Sequence, residues 1–438
     1  MNDALPAENA GLISRISAMQ VNAPPRLPRE KASALVSYYF DRKDRYLQAL
    51  ATQPAPVYLL DSQRLRHRAV QFKNAFQSRL PELSFYYAVK SNNHPGVAGI
   101  LLEEGFGLDV SSGLELEMAL GLGAGDIVFS GPGKTDQELR LAARHRDRVV
   151  VLIDSFGELQ RLDTIAAALN TTIRCGVRLT VDPNGLWRKF GIDISMLPHF
   201  LEKAGNSGHV RVQGLQFHSS WNLSPDPQTA FIRKLARVLA DLAEPFRSQI
   251  EFIDIGGGYW PEQGEWLQFA GTPQGAVEKS LGEQVRADNG YYCYPAAAID
   301  DFGQQISETV EACIMPLCRC RICLEPGRWI CNDAMHLLIS VVDEKAADLV
   351  ITDAGTNAVG WERFETDYCP VLNLTRPALE ERPCYILGSL CTPHDVWGFA
   401  YWGAAIHPGD TLMIPNQGAY TYSLRQQFIK PLPAVVTI

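Results

Sequence analysis

The chain has 438 residues, 46% of them hydrophobic and 20% charged, with a formal net charge of −9. This composition excludes a disordered, collagenous or disulfide-scaffold chain and leaves room for a large core in two or three domains. No Lys/Arg-rich block offsets the acidity, so a nucleic-acid partner has no electrostatic footprint. No run reaches the length of a transmembrane helix, so no membrane partner is expected. Ten cysteines without framework spacing, and a start (MNDALPAENAGLISRISAMQ) with neither a basic n-region nor an apolar h-region, fit a reducing cytoplasm.

Residues 1–57 are polar at first, then carry Pro24, Pro25 and Pro28, and the spacing predicts a helix over 35–50. From residue 57 a βα rhythm sets in. Apolar, β-branched runs recur as LSFYYAVK (83–90), GLDVSS (107–112), IVFSG (127–131), VVVLIDS (149–155), IRCGVRL (173–179), VRVQGLQFH (210–218), IEFIDIGG (250–257) and RICLEPGR (321–328). The first five begin 24, 20, 22 and 24 residues apart, the length of a strand plus a covering helix. Stretches 113–122 and 136–145 between them show helical periodicity behind capping residues. Eight such units predict an α/β fold, a closed (β/α)₈ barrel over 58–330, with a doubly wound open sheet as the alternative. The long connection 259–320 predicts an inserted helix and an ordered loop. Past residue 330 the runs at 336–345, 347–354, 384–390, 411–416 and 433–438 read as strands without intervening helices. They predict a β-rich second domain over 331–438, completed by residues 1–57.

In a parallel barrel, ligands gather at the C-terminal ends of the strands. Polar residues collect there: Lys90, Asp109 with Ser111, Ser130, Asp154, Arg178, His218, Asp254 with Gly256–Gly258, and Glu325 with Arg328. Lys90 closing a buried strand reads either as a snorkelling surface lysine or as a pocket amine whose pKa desolvation lowers, making it competent for a Schiff base. Gly256–Gly258 is either a tight turn or a row of N–H groups for a phosphate. His218 is either a satisfied core histidine or a flat ring for stacking on a cofactor. Glu325-Pro-Gly-Arg328 alone would pass as a salt-bridged turn. The cluster Cys318, Cys320, Cys323 lacks both CxxC spacing and a fourth ligand, so these are structural cysteines and no metal is expected. Cys391, in GSLCTPHD, sits in a segment unlike a buried strand.

In order along the chain, YYAVKSNNHP, GFGLDVSSGLELEMAL, IVFSGPGKTDQEL, GLQFHSS, FIDIGGGY, LEPGR, TDAGTN, GSLCTPHD and GDTLMIPNQGAYTYSL resemble the motifs of the fold-type III pyridoxal phosphate (PLP) decarboxylases. That group comprises the ornithine, arginine and diaminopimelate enzymes, and TDAGTN with GAYTYSL leans toward the diaminopimelate branch. The resemblance implies that Lys90 holds PLP as a Schiff base and that Glu325 pairs with the pyridine nitrogen. His218 would stack on the ring. Gly256, Gly257, Gly258, Arg328 and Tyr420 would hold the phosphate, with Asp109 and Arg178 as further cofactor contacts. Cys391 would reach the site from the neighbouring subunit of a homodimer and protonate the carbanion left when CO₂ departs. Arg328, Asp353, Thr392 and Tyr420 are the implied substrate contacts.

Four departures from the family pattern stand out. Thr392 replaces the acid that commonly follows the cysteine. Trp361 falls where the diaminopimelate enzymes carry an arginine, with Arg363 two residues on. Trp221 takes the place of a phosphate-binding serine, leaving Ser219 or Ser220 as substitutes. SLRQQFIKP replaces the usual polar ending after the tyrosine. Three of the four fall around the substrate, which points to decarboxylation of a modified or conjugated amino acid, such as a siderophore or natural-product intermediate. Alternatives are a diaminopimelate, ornithine or lysine decarboxylase proper, an amino-acid racemase on the same fold, and a non-catalytic binding protein derived from a decarboxylase.

Overall fold

The computed structural model describes residues 23–80, 82–281, 290–360 and 365–438. In chain order, β1 (Val57–Leu60) is followed by β2 (Leu83–Ala88), β3 (Gly107–Val110), β4 (Ile127–Phe129), β5 (Val149–Ile153), β6 (Ile173–Leu179), β7 (Val210–Phe217) and β8 (Phe252–Asp254). Next come the pair β9 (Glu265–Gln268) and β10 (Tyr291–Tyr294), then β11 (Arg321–Leu324). Strands β2 to β8 and β11 close into a parallel barrel, with β11 joining β8 to β2. The doubly wound alternative is excluded.

The residues at the strand ends also start the helices. Asp61 caps Ser62–Gln77, Ser112 caps Gly113–Gly121 and Ser155 caps Phe156–Ala168. Thr135 and Glu138 form a reciprocal capping box at Asp136–Arg144. Inside the barrel, Tyr86, Val128, Leu152, Phe252 and Cys323 form a packed layer rather than a pore. Gly176 and Gly214 make room for it: a Cβ on Gly214 would lie within about 2.0–2.3 Å of the Phe252 ring. The barrel can therefore be filled only because two adjacent strands carry no side chain at this level.

The second sheet runs β13-β15-β16-β14-β17-β12-β1-β18, where β12 is Met335–Ala346, β13 Leu349–Thr352, β14 Leu372–Asn373, β15 Glu381–Leu387, β16 Val396–Trp402, β17 Thr411–Ile414 and β18 Ala434–Thr437. The expected boundary at 57/58 moves: Val57–Leu60 belongs to this sheet, antiparallel to β12 and parallel to β18. All four side chains of β1 are buried, so the strand has an apolar face on each side and sits inside the sheet. The helix expected over 35–50 is two, Arg29–Phe40 and Lys43–Ala49, broken at Asp41–Arg42. Ala32, Val36, Tyr39 and Tyr46 pack there against Leu59, Leu338, Trp402 and Met413. The connection 259–320 holds the β9–β10 pair, a helix Pro273–Ser280 and a longer helix Ile299–Cys313. Among the described residues no helix is long and apolar enough to cross a membrane.

Candidate active site

A cavity of about 580 Å³ opens at the C-terminal ends of the barrel strands, within the size range of small-molecule sites. Lys90, Arg178, His218, Gly258, Glu325, Arg328 and Tyr420 line it together with Ser111 and Ser130. Most of the residues that sequence reasoning gathered from separate strands thus share one space.

Lys90 Nζ lies 2.6 Å from Asp109 Oδ2, and Asp109, fully buried, also accepts from Ser130 Oγ. The pairing follows from register, since β2 and β3 set Ala88 beside Asp109 and Lys90 follows two residues on. The expectation of a depressed lysine pKa is corrected here. Burial works in that direction, but the charges of Asp109 and Glu325 outweigh it and raise the ammonium above its usual range. Lys90 is held charged and aimed, with a third of its side chain open to the cavity.

Glu325 is 1% exposed. Burial alone would raise its carboxyl; the Lys90 charge and a hydrogen bond with Asp254 work against this and hold it below the usual carboxylate range. His218 Nδ1 accepts the Gly257 N–H at 3.1 Å and lies 3.6 Å from Glu325 Oε2, beyond hydrogen-bond reach. Burial lowers the imidazole pKa, so the ring is neutral and its remaining proton sits on Nε2.

The glycine turn after β8 is built for close approach. Gly256 and Gly258 have φ of +68° and +87°, and a Cβ on Gly257 would come 2.2 Å from the Glu325 carbonyl oxygen. Beside the turn, the Arg328 guanidinium is stacked among three aromatic rings, 4.4 Å from the Trp260 centroid, 4.8 Å from Tyr420 and 5.4 Å from Trp221. Tyr420 and Trp221 both carry positive φ, +57° and +60°. Tyr420 is anchored by its N–H on the Ser91 carbonyl at 2.7 Å. Of the two serines before Trp221, Ser220 lines the cavity, whereas Ser219 turns away to the Asn222 amide at 3.0 Å.

Arg178 donates to the Ser130 carbonyl at 3.1 Å and stacks 4.6 Å from the Phe190 centroid. Phe190 belongs to a wall that sequence reasoning missed: Trp187, Lys189, Phe190, Trp260 and Leu424 also line the cavity. The only local signal was the aromatic pair in LWRKF, embedded in a loop whose Pro183-Asn184-Gly185 reads as a turn.

Three expected substrate or catalytic residues are not brought to this cavity within one chain. Cys391 is exposed, and neither it nor Thr392 is part of the lining. They sit on a turn folded over Asp395, whose carboxylate accepts the N–H groups of Leu390 at 2.6 Å and Thr356 at 2.7 Å. Asp353 accepts the Ser340 N–H at 2.9 Å and faces a separate cavity with Lys430 and Asn357. Trp361 and Arg363 lie outside the described residues.

The groups present suit one kind of guest: a lysine at one end, a buried carboxylate facing inward, and glycine N–H groups with an arginine at the other end. The family described as "Pyridoxal-dependent decarboxylase, pyridoxal binding domain" matches residues 63–332. The chain belongs to the PLP-dependent decarboxylases. It is 28% identical over 399 residues to a diaminopimelate decarboxylase from Methanothermobacter thermautotrophicus, covering 87% of this chain and 86% of that protein. It is 26% identical over 395 residues to an L-glutamyl-[BtrI acyl-carrier protein] decarboxylase from Niallia circulans, covering 84% of each. A crystal structure of diaminopimelate decarboxylase from M. jannaschii shares the fold, with a TM-score of 0.75 at 24% identity over 89% of this chain and 88% of that one.

The chain is therefore a PLP-dependent amino-acid decarboxylase, and PLP is its cofactor. The glycine cradle, which any side chain would fill, fits a phosphate. The buried anionic Glu325 fits a protonated pyridine nitrogen. Bound there, PLP supplies an electron sink for the carbanion left by loss of CO₂. Within the chain, Asp109 holds the Lys90 amine at the cavity and burial keeps water from Glu325.

Proposed function

We propose that this decarboxylase acts on a modified or conjugated amino acid rather than on a free diamino acid. The observation that carries the reading is the charge of the cavity wall. Among the described lining residues Glu325 is the single acid, buried behind the cofactor position, against Lys90, Arg178, Lys189 and Arg328. Among the described residues of this cavity, a distal ammonium would find no carboxylate besides Glu325 to replace its hydration. Thr392 stands where an acid is usual in the family, which agrees with this reading. Trp187, Phe190, Trp221 and Trp260 instead offer aromatic faces to a bulkier substituent. The similarity to an enzyme named for an acyl-carrier-protein-bound glutamyl group supports a conjugated substrate of this kind. The test is a CO₂-release screen of the purified, PLP-loaded protein against diaminopimelate, ornithine, lysine, and N-acyl or citrate-type conjugates of diamino acids. Turnover of a conjugate at least about 100-fold above diaminopimelate, in kcat/KM, is expected. Diaminopimelate turned over far better than any conjugate would sink the reading.

The catalytic roles belong to the same proposal. Lys90 carries the cofactor, Glu325 faces its ring nitrogen, His218 stacks on the ring, and Gly256–Gly258, Arg328 and Tyr420 hold the phosphate. Asp109 and Arg178 position these groups. Cys391, exposed in one chain and outside that chain's cavity, completes the site of a second copy in a homodimer, with Asp353 and Thr392 near the same interface. A placed thiol returns the proton to one carbon only. Cys391→Ala is expected to retain PLP absorbance while product formation slows by about 100-fold or loses its fidelity. Mixing it with a Lys90→Ala chain should restore about a quarter of the activity, because half the dimers are mixed and each of those holds one complete site. A Cys391→Ala protein that cannot bind PLP would assign the thiol a structural role.

A further inference from the structure

Behind Glu325 stands a second buried acid to which the proposed roles give no task. The registers of β7, β8 and β11 set Gln216 beside Asp254 and Asp254 beside Cys323, two residues before Glu325. Asp254 is 0% exposed and Glu325 1%. Asp254 Oδ1 accepts the Gly256 N–H at 2.8 Å, whereas Oδ2 is fully buried and meets no donor. The group that Asp254 faces is the Glu325 carboxyl. Two carboxylates side by side in a dry site repel strongly and leave acceptor lone pairs unmet. One proton between them removes both costs.

The surroundings decide where that proton resides. Glu325 lies beside the Lys90 charge, and the long amide contacts from Gln216 Nε2, 3.4 and 3.5 Å, also point to its oxygens. The charges that act on Asp254 are those of Glu325 and Asp109, both negative, and its remaining titratable neighbours Cys323 and Tyr259 are buried and neutral. Against them stands one backbone N–H. Burial and then the Glu325 charge push the Asp254 carboxyl well above the usual carboxylate range.

We propose that Asp254 is a protonated positioning residue: its carboxyl donates a hydrogen bond to Glu325, fixes that side chain's orientation and keeps a single negative charge aimed into the cavity. The task assigned to that charge rests on Glu325 meeting the cofactor ring, as proposed above; the shared proton does not. Outer-shell groups of this sort hold an inner carboxylate in one geometry and tune its basicity.

Asparagine reproduces the neutral form of Asp254, with a carbonyl oxygen for the Gly256 N–H and an NH₂ for Glu325. Asp254→Asn is therefore expected to keep PLP affinity and kcat within about threefold of wild type, with an unchanged pH profile of the bound-cofactor absorbance. Asp254→Leu removes the donor and is expected to lower kcat by about 10–100-fold with KM little changed. Infrared difference spectroscopy of wild type against Asp254→Asn reads the proton directly, in protein with or without PLP. A buried protonated-carboxyl band present only in wild type is expected. That arm stands even if the ring-nitrogen role of Glu325 fails, so the two failures are distinguishable. Absence of the band, a shift of the Asp254→Asn pH profile by about one unit or more, or wild-type kinetics in Asp254→Leu would each overturn the proposal.

Discussion

Replacing Lys90 by alanine is expected to abolish decarboxylation, lowering kcat by at least about 10³-fold, and to remove the covalent attachment of PLP. The charged end of this lysine stands among the proposed cofactor contacts, 2.6 Å from Asp109 and near Glu325. Deleting it does two things, which need separate controls. It removes the covalent partner, and it leaves the fully buried Asp109 with Ser130 as its remaining side-chain donor, at a cost of about 1–3 kcal/mol to stability. Lys90→Arg separates them: a guanidinium keeps a positive charge against Asp109 but cannot form the covalent bond. The arginine protein should melt near wild type, lose activity to the same extent and show no borohydride-trapped cofactor by mass spectrometry. A Lys90→Ala protein that still traps PLP covalently would refute the assignment.

The charge state of Lys90 shows what a sequence can and cannot reveal. The run FYYAVK marks a buried strand ending in an amine, and burial alone argues for a depressed pKa. The reversal comes from Asp109, nineteen positions away, which only strand register brings within 2.6 Å. The barrel strands were legible because each is a continuous apolar run with a polar end, and the caps Ser112 and Thr135 advertise the helices behind them. Strand β16 was not, since Gly398 interrupts its pattern and its pairing with β15 carries register shifts. The sheet membership of β1 was equally hidden: Leu60 pairs with Met335 and Thr437, and nothing local to VYLL encodes partners that far along the chain. Convergence of polar strand ends gave the cavity its location. Its aromatic wall did not show, because Trp187 and Phe190 sit in a loop, where neither 2-residue nor 3.6-residue periodicity operates. The role proposed for Cys391 rests on its motif alone, since its exposed turn carries no sign of chemistry when seen in one chain.

Glu325→Gln is expected to leave PLP bound and to reduce kcat by about 10²–10³-fold. The backbone around residue 325 is fixed independently of its side chain, with the Glu325 N–H on the Gly256 carbonyl at 2.9 Å and the Pro326 carbonyl on the Ala88 N–H at 3.1 Å. The phosphate cradle should therefore survive, and cofactor affinity measured by absorbance should fall much less than activity. What is lost is the buried negative charge that favours a protonated ring nitrogen, and an amide of the same shape cannot supply it. The pH dependence follows with a definite sign. Because the Lys90 charge and the Asp254 hydrogen bond hold the Glu325 carboxyl below the usual carboxylate range, it stays ionised throughout a workable assay range. No acid limb of the wild-type kcat profile then belongs to it, and the glutamine variant should lower the plateau without moving its edges. A Glu325→Gln enzyme with a wild-type plateau would show that the charge is not used by the reaction. A variant that recovers activity as the pH is lowered would instead show that solvent can protonate the ring in place of the protein, and that exclusion of water from this end of the cavity is incomplete.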